Sequence, residues 1–168
     1  LPRTSFENKV TNISKKTQGQ LIIKEYPTAS AHSGHFKALL NELALKKSFK
    51  PDIIFVDYLN ICASSRYKGS ANINSYTLVK SIAEELRGLA VEAEVPIVSA
   101  TQTTRSGYGS SDVDLTDTSE SFGLPATADL MFALISTEEL EQLGQIMVKQ
   151  LKNRYNDLSV FKRFVVGI

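Results

Sequence analysis

Three apolar runs in this chain stop at groups that could handle a phosphate. "PDIIFVD" carries Ile53, Ile54, Phe55 and Val56 directly into the carboxylate of Asp57. "VPIVSATQ" ends in Ser99, Thr101 and Gln102, and "QIMVKQLKNR" ends in Lys152 and Arg154. A buried strand gains nothing from an unpaired acid, and an ionised carboxylate is costly to desolvate without partners, so Asp57 reads as an acid placed to meet a cation. An acid on one strand and an amide on the next could hold a hydrated metal and a water. Together these are the elements of nucleotide hydrolysis at a sheet end. Each also has a plainer reading. Asp57 could simply cap the next turn, and position alone makes Lys152 and Arg154 more readily a solvated strand end.

The elements that must position these groups follow from the apolar pattern. Residues 4–17 read as a short helix. "GQLIIKEYP" (19–27) reads as a strand opened by Gly19 and stopped by Pro27. A helix follows, with Phe36, Leu39, Leu40, Leu43 and Ala44 at helical spacing and Ser33 as its cap. The strand 52–59 leads to a long polar loop, 62–76. A helix over 78–94 carries Leu78, Ile82, Leu86, Leu89, Ala90 and Ala93 on one stripe, and the strand 95–102 leads to a second loop, 103–119. A helical turn near 119–127, a strand at 128–135, a solvated turn in "STEELEQLG", and strands at 145–154 and 160–168 complete the chain. Helices alternate with strands early and strands neighbour strands late. That order predicts an α/β fold, a mostly parallel sheet flanked by helices with antiparallel C-terminal strands. In such sheets ligands gather beyond the carboxyl ends of the strands.

Composition narrows the class. The 168 residues, 42% hydrophobic and 22% charged, suit a single globular domain spanning 1–168. No apolar run is long enough for a bilayer helix. One cysteine, Cys62, excludes an internal disulfide and suits a reducing cytosol. With 19 basic and 18 acidic residues, any nucleic-acid surface has to be local. The chain opens on Leu1, the start expected of a piece of something longer.

Four ordered segments, "PDIIFVDYLNI", "IAEELRGLAVEAEVPIVSATQTTRS", "ESFGLPATADLMFAL" and "KQLKNRYND", resemble the carboxy-terminal RecA-like motor of DnaB-family replicative helicases. The tail "KNRYNDLSVFKRFVVGI" is most similar to the T-even-phage branch of that family. The resemblance runs from about residue 51 to the end, and more faintly from residue 19. It implies an ATP-dependent DNA helicase with ATP and Mg2+ as cofactors, acting as a hexameric ring in the cytoplasm of a phage's bacterial host. Single-stranded DNA is the implied partner, with primase and a helicase loader as further ones.

By that resemblance Asp57 matches the Walker B aspartate, which holds magnesium through water, and Gln102 the glutamine that senses the γ-phosphate. Lys152 and Arg154 match the basic pair that reaches a neighbouring subunit's γ-phosphate. Arg66 and Lys68, beside Tyr67, and Arg105, Ser121, Phe122 and Gly123 fall in segments that face single-stranded DNA. Ser119 stands where an arginine is usual, which shifts phosphate contact there to the backbone of 121–123.

No G-x-x-x-x-G-K-[ST] occurs in the chain, and "SAHSGHFKALL" has the wrong spacing for one. In the family that loop and the catalytic glutamate lie upstream of the matched region, so a truncated fragment, inactive alone, is expected. His32 and His35 lack a third ligand and read as helix-start residues rather than a metal site. Cys62 reads as a small packed residue rather than a nucleophile. Two rival functions remain: a RecA-type recombinase, which would use the same strand-end acid but form filaments, and a RecA-like binding or assembly module that keeps the fold without nucleotide chemistry.

Overall fold

The computed structural model describes residues 2–67, 73–102 and 123–168. The central element is α3 (Ser75–Ala93). Asn74 caps its start, the side chain accepting from the Thr77 N–H at 2.8 Å, and Glu94 ends it in a left-handed conformation at φ 56°. Val79, Ile82, Ala83, Leu86 and Leu89 recur three and four residues apart, so they form one stripe and are all buried. With Leu59 and Leu124 most of them make the main core, against which Phe36, Val56, Cys62 and Met131 pack. Ile82 is the most deeply enclosed side chain; truncation to alanine there costs about 2–5 kcal/mol.

α2 (Ser33–Lys47) and the short α4 (Gly123–Thr127) pack against α3; further helices are α1 (Arg3–Lys16), none of whose residues is buried, and α5 (Glu138–Gln142). β1 (Ile54–Val56) pairs in parallel with β2 (Ile97–Ser99), Ile54 opposite Ile97. β3 (Leu130–Ile135), β4 (Gln145–Asn153) and β5 (Arg163–Gly167) form an antiparallel sheet in that order. A smaller core of Ala133, Ile135 and Leu151 covers one face of it, and Met131 packs against both cores. The architecture is α/β, as the alternation of elements predicts; among the described residues the parallel pair and the antiparallel strands form two separate sheets, and the parallel one is the smaller, where a mostly parallel sheet is expected. Among the described residues no helix is long and apolar enough to cross a membrane.

Three expectations are corrected. Residues 19–27 form no strand among the described residues, and Leu21 and Ile23 are each 83% exposed. A strand needs a neighbour for its backbone N–H and C=O groups, and no described segment ladders with this one. The run Ile53–Val56 is not buried throughout. Successive side chains point to opposite faces, so Ile54 and Val56 are half-buried, Val56 against the main core, while Ile53 and Phe55 are 45% and 69% exposed. Finally, Ser33 is the first residue of α2 rather than its cap. His32 holds that position: its Nδ1 accepts from the Gly34 N–H at 3.0 Å, and His35 Nδ1 accepts from the His32 N–H at 3.2 Å. Both histidines use a ring nitrogen on the helix start.

Candidate functional site

Asp57 follows β1 directly, and its peptide bond to Tyr58 is cis. The two strand ends are tied together residue by residue. Ser99 Oγ donates to the Val56 carbonyl at 2.7 Å, and the Leu59 N–H donates to the Ala100 carbonyl at 3.2 Å. Thr101 Oγ1 donates to Asn60 Oδ1 at 2.8 Å, and Gln102 Nε2 donates to the Tyr58 hydroxyl at 3.4 Å. The parallel register therefore brings Asp57 and Gln102 to one end of the pair, both open to solvent. A carboxylate beside hydroxyl and amide oxygens is a hard-donor surface, which suits a magnesium ion that keeps most of its water.

A second cluster forms where β4 ends beside the start of β3. The antiparallel register sets Lys152 opposite Met131 and Asn153 opposite Leu130, and so carries Arg154 to Asp129. The Arg154 N–H donates to the Asp129 carbonyl at 2.9 Å, and its Nη1 lies 2.7 Å from Asp129 Oδ1, a charge contact at an oxygen closed to solvent. Arg87, from α3, donates through Nη1 to Asp129 Oδ2 at 2.6 Å and to the Thr127 carbonyl at 2.9 Å. Lys152 Nζ donates to the Pro125 and Ala126 carbonyls at 2.6 and 3.4 Å. Three cations thus converge on residues 125–129. The Arg87 hydrogen bond, aided by the charges of Arg87, Arg154 and Lys152, holds the Asp129 carboxyl below its ordinary range against partial burial. Burial, then the nearby Arg154 charge, lowers Lys152.

The third cluster fixes the segment after Cys62. Ser64 Oγ, Ser33 Oγ at 2.8 Å and the Ser65 N–H at 3.0 Å all donate to the Glu85 carboxylate. Partial burial opposes its ionisation, but the hydrogen bonds from Ser64, Ser65 and Ser33 prevail and bring its pKa to about 2. Arg66 pairs with Glu84, and Ser81 Oγ donates to the Tyr67 hydroxyl at 3.5 Å. Gly123 is buried at the start of α4; a Cβ there would sit 3.1 Å from the Tyr76 hydroxyl and from Lys80 carbons, so the site has little room for one. Cys62 Sγ donates to the Tyr58 carbonyl at 3.7 Å and burial raises its thiol pKa, the setting of a packed residue.

Of the residues predicted from sequence, Asp57 and Gln102 meet at one sheet end, Lys152 and Arg154 share the second cluster, and Arg66 lies in the third. Lys68, Arg105, Ser121 and Phe122 fall outside the described residues. Sequence reasoning missed Tyr58, Arg87, Glu84, Glu85 and Asp129. A signal existed for Asp129: it opens an apolar strand as Asp57 closes one.

Residues 2–163 match the family described as DnaB-like helicase C terminal domain. A DnaB-like replicative helicase of Enterobacteria phage T4 is 52% identical over 154 residues, covering 92% of this chain and 32% of that protein. The chain therefore spans about a third of that curated relative. Among solved structures, one described as an ATPase domain superposes with a TM-score of 0.74 at 19% identity, over 99% of this chain and 57% of that one. A DnaB-like replicative helicase, described with its interactions with primase, gives a TM-score of 0.65 at 20% identity, over 84% of this chain and 34% of its own. These structural likenesses establish the RecA-like α/β fold.

Proposed function

The chain belongs to the DnaB-like helicase C-terminal domain family, and from that premise we propose that it is the carboxy-terminal part of a ring-forming, ATP-driven replicative DNA helicase. The parent protein separates duplex strands while moving along single-stranded DNA. The observation that carries this reading is the placement of Asp57 and Gln102 at one end of the parallel strands, where Gln102 bonds Tyr58 and Thr101 bonds Asn60.

Each role rests on simple electrostatics. Asp57 would hold, through water, the Mg2+ that accompanies ATP, and Gln102 would meet the terminal phosphate. When bound, the metal neutralises charge on the transferring phosphoryl group. Arg154 and Lys152 face the nucleotide of the adjacent subunit, where a guanidinium stabilises charge that grows in the transition state and makes turnover depend on assembly. The phosphate cradle and the catalytic glutamate come from elsewhere in the parent. Alternate residues on the described strands, Ile53, Phe55 and Val98 among them, are uncovered and apolar, which suits packing against more of the same protein.

Arg66, Lys68 and Arg105, with the backbone near Ser121, Phe122 and Gly123, grip the DNA backbone without reading sequence. Further copies of the chain in a hexameric ring, a primase and a loader are its partners, in the cytoplasm of a bacterial host. The test is strand separation by the full-length parent on a forked duplex with a single-stranded tail. ATP with Mg2+ should release the strand, and neither alone should do so. A parent that hydrolyses ATP only while forming filaments on DNA, with no strand release, would overturn the reading.

A further inference from the structure

The cluster around Asp129 has a shape that a simple structural ion pair does not need. Its two oxygens divide their work: Oδ2 takes a direct hydrogen bond from Arg87, and Oδ1, closed to solvent, faces Arg154 Nη1 at 2.7 Å. Arg87 is itself anchored on the Thr127 carbonyl, so the carboxylate cannot rotate without breaking two contacts. The Arg154 backbone N–H is bonded to the Asp129 carbonyl at 2.9 Å, which fixes the base of the arginine to the same residue that holds its tip. A guanidinium has five N–H donors in a rigid plane, and the Arg154 side chain remains 43% exposed. The guanidinium therefore meets Asp129 in a charge contact at Nη1 while part of the side chain stays open to solvent, within reach of an outside anion.

We propose that Asp129, braced by Arg87, is a positioning residue that presents the exposed part of Arg154 to the phosphate of a neighbouring subunit. The inference rests on the trans role given to Arg154 above. Lys152 has a second part besides facing the adjacent subunit's nucleotide. Two of its three N–H donors lie on the Pro125 and Ala126 carbonyls, so it ties the end of β4 to α4 and holds the platform on which Arg154 is presented. An arginine that acts only as phosphoryl charge develops lowers the barrier without strengthening ground-state binding, so misorienting it lowers kcat and leaves KM unchanged.

The experiment uses full-length rings and DNA-stimulated ATP hydrolysis, with Asp129→Asn, Arg154→Ala and the double variant. Asp129→Asn is expected to lower kcat by about tenfold to a hundredfold, the scale of losing reactant alignment, with KM for ATP unchanged. The double variant should be no slower than Arg154→Ala alone, because the acid acts through the arginine. A folded Asp129→Asn ring with wild-type kcat would overturn the proposal, and so would losses that multiply in the double variant. Wild-type turnover in Arg154→Ala would instead remove the trans role, and the positioning role with it. If Asp129→Asn does not fold, Asp129→Glu, which keeps the charge facing Arg87 but displaces it by one methylene, is read by the same cycle against the same outcomes.

Discussion

At the end of β1 and β2 an acid and an amide lie open to solvent, the amide steadied by Tyr58. At the end of β4 the basic groups are already engaged, Lys152 on the carbonyls of α4 and Arg154 on Asp129. The contrast suits the roles proposed for the two ends. A group that takes part in a metal's water shell needs only the right place and a free oxygen, because the ion brings its own ligands. A cation that must act on a neighbour's phosphate at one stage of a cycle needs a fixed direction, and a long side chain gets it only from partners. On the proposed reading the free end receives and the braced end is presented.

The sharpest way to break this contrast is to remove the free acid. In the full-length protein, Asp57→Asn should lower DNA-stimulated ATP hydrolysis by at least about a hundredfold, since the substitution takes away the charge that orients the metal. Because Asp57 is exposed, its melting temperature should stay within about 2 °C of wild type. Wild-type turnover in that variant would dismiss the acid from the site. The next largest effect lies at the braced end. Mixed into wild-type rings, Arg154→Ala subunits should depress hydrolysis out of proportion to their number, so that an equal mixture keeps well under half the activity. A strictly linear loss would show that Arg154 serves its own subunit, and the two ends would no longer differ in this way.

The two ends were unequally legible in the sequence. An apolar run broken by Asp57, and another broken by Gln102, mark strand ends because burial and charge conflict within a few residues. The stripe of Ile82, Leu86 and Leu89 marks α3 for a similar reason: one face must be dry. Asp129 was taken into a strand of apolar neighbours, since its meaning depends on Arg87 and Arg154, which lie far from it along the chain on either side. Residues 19–27 misled in the opposite sense. β-branched composition describes a segment fit for a sheet, while a strand exists only where a neighbour supplies the ladder. His32 shows the limit of a rule about cap residues, because an imidazole nitrogen can accept the same N–H as a serine hydroxyl.

Glu85 extends the comparison to a carboxylate wholly occupied by its own chain. Its pKa of about 2 lies below the ordinary value of 4.5, so its share of stability is present above that value and is lost as pH falls from about 4.5 toward 2. Glu85→Gln should lower the melting temperature at pH 7 by on the order of 5 °C, a modest figure because the group is partly open to solvent. The gap between wild type and variant should close as the pH is taken down through this window. A gap that is the same at pH 7 and pH 3 would mean that the serine contacts do not depend on charge.

The smallest effect concerns Arg66, which combines both designs: it is paired with Glu84, yet its side chain is 49% exposed. If it meets a DNA phosphate, it exchanges one anion for another, and the exposed pair it gives up was worth little. Arg66→Ala should therefore weaken single-stranded DNA binding only a few-fold. The clearer mark is the salt dependence, whose slope should fall by about 0.7, the release of counterions from one phosphate contact on a single strand. Glu84→Gln, which frees the guanidinium, should raise affinity by a comparable factor with the slope unchanged or slightly steeper. An unaltered slope in Arg66→Ala would place Arg66 with Glu85 among the groups that shape the segment, because a cation that only holds its own chain releases no ions when DNA arrives.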